Sequence, residues 1–179
     1  HPFLFEGLLS SFPDLDLKTT VREKTETVDL AAEAGFDFEV RGRDFDNPQL
    51  RKVGIPLRTA QLAADPPNAD VSLSSRNAMC VLASKARGMP SIHYTDNDIT
   101  AYVDGLWAEE LYNFLEARAT HTVVPEAFDT AELEKHGADA ASIHTYSGYK
   151  EDIYVADFEP DESFTDQLPF EEYVVLRPE

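Results

Sequence analysis

"VSLSSRNAMCVLASKARGMPSIHYTDND", residues 71 to 98, changes its hydrophobic period twice within a short span. "VSLSS" reads as a strand, "RNAMCVLASKARG" as a helix with Gly88 placed to end it, and "PSIHYT" as a second strand. Strand and helix alternating at such short intervals argue for a mostly parallel sheet covered by helices on both faces.

The same alternation extends in both directions. Upstream, "FLFEGLLSS" (3 to 11) predicts a helix and "LDLKTTV" (15 to 21) a strand with Leu15, Leu17, Thr19 and Val21 on one face. "TETVDLAAEAG" then predicts a short helix closed by Gly35, and "FDFEVRG" a second strand. Between Asp44 and Pro67, Pro48 and Pro56 predict two short helices in place of one long one. Downstream, Trp107, Leu111, Phe114 and Leu115 fall at helical spacing and are expected to face the core. Strand "HTVVP" precedes "DTAELEKHG", where Asp129 and Glu132 have capping-box spacing and Gly137 closes the helix. "SIHTYSG" and, after an acidic stretch, "YVVLRPE" (173 to 179) complete the strands.

In open parallel sheets ligands bind outside the carboxyl ends of the strands. The loops to collect are therefore "SSRN" (74 to 77), "TDND" (95 to 98), "PE" (125 to 126) and "SGYK" (147 to 150). Asp96 and Asp98 flank Asn97, and two nearby carboxylates can divide acid and base roles. The same residues also build Asx turns and cap helices. Arg76, at the expected start of a helix, could meet an anionic ligand there or pair with neighbouring acids.

Composition excludes several classes. Thirty-four acidic residues against 15 basic give a formal net charge of -19, so a nucleic-acid backbone binder, which relies on Lys and Arg, is not expected. Such a surface repels itself in dilute buffer and is tolerated where salt screens it, so the expectation is the salt-adapted cytoplasm of a halophilic archaeon, with an ordinary acidic protein as the alternative. One cysteine, Cys80, excludes an internal disulfide framework and reads as a bland thiol. No apolar run approaches the roughly 20 residues of a membrane span, and no secretory signal is seen, so a cytoplasmic location is expected. Phosphate-loop, dinucleotide-binding and nucleophile-elbow signatures are absent. His1, His93, His121, His136 and His144 show no metal-type spacing.

One further stretch is unusual. "YSGYKEDIYVADFEPDESF" (146 to 164) sets Gly148, Tyr149 and Lys150 into an acidic, linker-like run, although linkers seldom keep aromatic residues. Together with "TTVRE", "GMPSIHYTDND", "VVPEAF" and the terminal "YVVLRPE", this run resembles the archaeal and bacterial family catalogued as domain of unknown function 354. That family is similar to UDP-N-acetylglucosamine 2-epimerase and MurG-like glycosyltransferases of the two-domain GT-B architecture. The resemblance covers the whole chain, and Gly148 to Phe158 and Arg177 to Glu179 are its most specific parts.

The resemblance implies a Rossmann-like N-terminal GT-B domain over residues 1–150, an interdomain linker over 151–172, and the first strand of a second domain over 173–179. It also implies a chain cut at both ends, lacking its first, central strand and the lobe that would hold a nucleotide-sugar donor; no tightly bound cofactor is expected. Open backbone edges at the gap imply association into an oligomer unless another strand, such as 173–179, fills it.

Asp96 and Asp98 become the expected catalytic residues, one or the other of them the base. His1, in the place of the family's first motif histidine, Ser74, Ser75, Arg76, Asn97, Glu126, Tyr149, Lys150, Arg177 and Glu179 become the expected substrate contacts. Tyr149 and Lys150 would stand on the wall of the interdomain cleft, where an aromatic ring stacks on a sugar or base and a lysine meets a phosphate or acidic ligand. Two departures favour glycosyl transfer to a sugar or glycan acceptor over epimerisation. Ser75, Arg76 and Asn77 carry no carboxylate after the fourth family strand, and the family's histidine after the fifth is missing from Thr95 to Ala101. A 2-epimerase and a non-catalytic sugar-binding or assembly module remain the alternatives.

Overall fold

The computed structural model describes residues 2–23, 25–43, 48–64 and 68–155, with positions 159, 162–167, 169 and 174 beyond them. His1, Arg177, Glu179 and the expected strand 173–179, apart from position 174, lie outside the described residues.

The chain is an α/β protein with parallel sheets flanked by helices. α1 (Pro2–Ser10) leads to β1 (Thr19–Glu23), α2 (Thr25–Glu33) and β2 (Phe38–Arg43), then to α3 (Pro48–Ala64). β3 (Ser72–Ser75), α4 (Ala78–Arg87), β4 (Ser91–Tyr94), α5 (Trp107–Glu116), β5 (His121–Pro125), α6 (Ala131–Glu134), β6 (Ile143–Tyr146) and α7 (Asp152–Val155) follow. β3 to β6 pair in chain order as a four-stranded parallel sheet, with Ser74 opposite His93, Tyr94 opposite Val123, and Pro125 opposite Tyr146. Because all four strands run the same way, the segments after Ser75, Tyr94, Pro125 and Tyr146 emerge at one end of the sheet.

β1 and β2 pair with each other in parallel as a separate two-stranded sheet. The expected single sheet is thus divided, and β1 and β3 each keep one edge unpaired in the described ladders. Leu15 and Leu17, expected on the first strand, precede it and are about half exposed, because pairing with β2 begins only at Thr19.

Local chemistry explains the best-formed unit. Asn77 caps α4 by accepting a hydrogen bond from the Cys80 amide at 3.2 Å. Gly88 ends the helix at φ +67°, with its amide and that of Met89 returning to the Lys85 and Ser84 carbonyls. α4 turns Met79 and Ala83 toward Leu62 of α3. α3 continues through Pro56 as one 17-residue helix, contrary to the two expected, and its packing on α4 carries it past the lost hydrogen bond. A second cluster joins Ala117, Val124, Phe128 and Leu133 between α5, β5 and α6.

α5 reverses expectation at three of the four apolar positions, Leu115 alone being half-buried. Trp107, Leu111 and Phe114 are 71%, 48% and 44% exposed, whereas Asn113 and Glu116 are buried. The inward face is polar because it has specific partners. Asn113 donates to Thr100 Oγ1 at 2.8 Å, and Glu116 accepts from Arg76 at 3.2 Å. Asn113 Nδ2 and Glu116 Oε2 are matched in this way, whereas Glu116 Oε1 is buried without a hydrogen bond.

Far along the chain, α7 packs on α1. Gly7 makes the approach possible, since a Cβ there would stand 2.7 Å from the Ile153 carbonyl oxygen.

Candidate functional site

Two of the collected loops meet. Lys150 Nζ forms an ion pair with Asp96 Oδ2, joining the segment after β6 to the segment after β4. Their side chains are 11% and 27% exposed, so the pair stands at the wall of a crevice rather than in open solvent. That crevice has a volume of about 200 Å³ and is lined by Asp96, Asp98, Pro125, Phe128, Tyr149 and Lys150 among others. It is smaller than the roughly 300–1,000 Å³ of a complete small-molecule pocket.

Local geometry answers why Gly148, Tyr149 and Lys150 stand together. Gly148 has φ +93°, a region that other residues occupy only under strain, and a Cβ there would lie 2.5 Å from Asp152 Oδ2. The turn lets the Tyr149 amide donate to Asp152 Oδ2 at 2.8 Å, at the start of α7. Tyr149 is left 65% exposed beside the crevice and Lys150 is aimed back at Asp96. Burial works against the Lys150 charge, but the hydrogen bond and charge of Asp96, with Glu151, outweigh it and raise the ammonium above its ordinary range. Tyr146, at the end of β6, is pushed up to about 12 by burial and then by the charges of Asp96 and Glu151.

The two aspartates have different surroundings. Asp98 Oδ2 accepts the Asp129 amide at 2.9 Å and so ties the TDND loop to the loop before α6. Asp96 gives one oxygen to Lys150, and its Oδ1 takes no hydrogen bond among the described residues. Asn97 makes an Asx turn by accepting the Ile99 amide at 3.2 Å, and it donates to Glu109 Oε2 at 3.0 Å. Glu126 bonds through its backbone amide to the Tyr146 carbonyl, with its side chain exposed and outside the crevice lining. Ser75 is half-buried at the end of β3 and also outside that lining.

Ser74 and Arg76, expected as substrate contacts, belong to a second constellation with His93 and Glu116, to which the sequence reading gave no role. Ser74 Oγ lies 2.8 Å from His93 Nδ1, and His93 Nε2 lies 3.4 Å from Glu116 Oε1, with His93 and Glu116 fully buried. Arg76 bridges Glu116 at 3.2 Å and Glu109 at 2.7 Å, and its guanidinium lies 5.9 Å from the centre of the Tyr112 ring. Of the two roles open to Arg76, pairing with acids is the one seen. Its backbone holds φ +47°, the single positive value among non-glycine residues described. Through Glu109 and Asn97 the network reaches the TDND loop. Partners lying 19 to 40 positions apart, with no motif, left no sequence signal for it.

Comparisons with protein-family models, curated proteins and solved structures return no match. Among the described residues, no cluster of three or more His, Cys, Asp or Glu could hold a metal ion, and no helix is long and apolar enough to cross a membrane. Burial raises the Cys80 thiol, against weaker opposing hydrogen bonds from Ser72 and Ser84, so little thiolate forms at neutral pH.

Proposed function

We propose that this chain is the acceptor-side lobe of a nucleotide-sugar-dependent glycosyltransferase-like enzyme, with the Asp96–Lys150 crevice as its acceptor half-site. The observation that carries the reading is the placement of Asp96: one carboxylate oxygen is held by Lys150, the other takes no hydrogen bond among the described residues, and the residue lines a crevice together with Tyr149. Its position beyond the carboxyl end of β4 is where open parallel sheets bind ligands. The division of the sheet between β1 and β3 fits the further central strand that the resemblance implies.

In this mechanism Lys150 orients Asp96, and the second carboxylate oxygen removes the proton of an acceptor hydroxyl. The acceptor oxygen bonds to the sugar's anomeric carbon as the bond to the nucleoside diphosphate breaks, and the diphosphate leaves with the electron pair. Tyr149 supplies a face on which a sugar ring stacks. Asp98 is a positioning residue, because its carboxylate is committed to the Asp129 amide.

A second reading, a sugar-binding module without turnover, is favoured by the ion pair itself, which occupies the carboxylate that would act as base. The Asp96→Asn variant of the full-length protein, assayed with nucleotide sugars and candidate acceptors, separates the two. Loss of turnover by about 100- to 10,000-fold with folding intact supports the transferase. Calorimetric binding of nucleotide sugar by the unaltered protein without any product supports the module, and full activity in the variant removes Asp96 as base.

A further inference from the structure

We infer that the outward face of α5 is the contact surface of a two-fold dimer of this chain. Trp107, Leu111 and Phe114 recur at the spacing that puts them on one side of a helix, and all three are substantially exposed. A stripe of this kind, centred on a tryptophan and a phenylalanine, is the composition of an interface core rather than of ordinary surface. The helix has no reason to expose it for folding alone, since its opposite face is already committed to Arg76 and Thr100.

The charges at the two ends of the stripe identify the occupant. Arg118, two residues beyond the end of the helix, lies 4.4 Å from the centre of the Phe114 ring and makes no ion pair among the described residues. Asp104, in the turn leading into the helix, is exposed and likewise unpaired among the described residues. The two stand at equal sequence distances on either side of Leu111. If two copies of α5 pack antiparallel about an axis at Leu111, each Asp104 meets the other copy's Arg118. Trp107 then lies over the Phe114 end of its partner. A two-fold contact demands such self-complementarity, and one acidic and one basic end around an apolar centre supply it. The net charge of -19 on each chain opposes the approach in dilute salt, so association strengthens as salt screens the remaining surface.

Trp107 is the only tryptophan in the chain, which makes its emission a reporter of this face. Sedimentation velocity and fluorescence are followed on the protein over a wide concentration series in about 1 M KCl. The expected result is a monomer-to-dimer transition accompanied by a blue shift of Trp107 emission. Leu111→Asp, at an exposed position that leaves the fold intact, weakens dimerisation at least about a hundredfold. Asp104→Arg and Arg118→Asp each weaken it about tenfold, and mixing these two variants, or combining both changes in one chain, restores it. A monomer throughout the series, a dimer indifferent to Leu111→Asp, a failure of the charge exchange to restore association, or a dimer without the Trp107 shift would each overturn the inference.

Discussion

α4 and α5 both connect neighbouring strands of the same parallel sheet, yet they use their apolar residues in opposite ways. α4 buries Ala78, Met79, Val81 and Ala83. α5 buries Asn113 and Glu116 and leaves Trp107, Leu111 and Phe114 outside. Helical periodicity states that a face exists; it does not state which way that face points. On α4 the hydrophobic effect decides orientation. On α5 paired polar groups decide it, since Arg76 and Thr100 offer hydrogen-bond partners that only a polar face can meet, while His93 Nε2 faces Glu116 Oε1 across 3.4 Å without a hydrogen bond.

The comparison can be broken most severely at Glu116. Replacing it with alanine leaves the Arg76 guanidinium without one of its two acids and His93 without its facing carboxylate, and is expected to cost about 3–5 kcal/mol in urea denaturation. A loss under about 1 kcal/mol would show that the polar face does not hold α5 in place. The next effect contrasts the two helices directly. Met79→Ala on α4 opens a cavity and is expected to cost about 2–4 kcal/mol. Leu111→Ala on α5, measured at dilution, is expected to stay within about 0.5 kcal/mol. Equal losses would mean that the stripe is core after all.

The smallest effect lies at the crevice and is read in alkali. Tyr146 and Lys150 both have folded-state values raised above their ordinary 10.0 and 10.5. The stability they contribute is therefore complete below those values and is lost as pH rises, in the case of Tyr146 between 10.0 and about 12. Urea midpoints should fall across that window in the unaltered protein and fall less steeply in Tyr146→Phe. An unchanged slope in that variant would remove Tyr146 as the titrating group.

Much of the architecture could be read from residues alone, and the reason is local. β5 lies over His121–Pro125 as its alternation predicts, and Asn77 and Gly88 bound α4 because a cap and a left-handed glycine act within one turn. The meeting of the TDND and SGYK loops was also legible, since parallel strands deliver their following segments to one end. What was not legible depends on pairings between distant single residues. Nothing near Glu116 indicates that it will be taken up by Arg76, and without that pairing the inward turn of Asn113 cannot be foreseen. Likewise Pro56 argues for a break that the packing of Leu62 on Met79 overrides. Equivalent by spacing, Asp96 and Asp98 differ only because Lys150 and the Asp129 amide reach them from other parts of the chain.

The contact of Gly7 with the Ile153 carbonyl gives the crevice an anchor it would otherwise lack. The span that carries Tyr149 and Lys150 is moored at one end by β6 and at the other by α7 resting on α1, like a strap fastened at both buckles. Slack at either buckle passes along it. Any side chain at position 7 would therefore act as a remote lever, prising α7 away and loosening the hold of Lys150 on Asp96 without touching either residue.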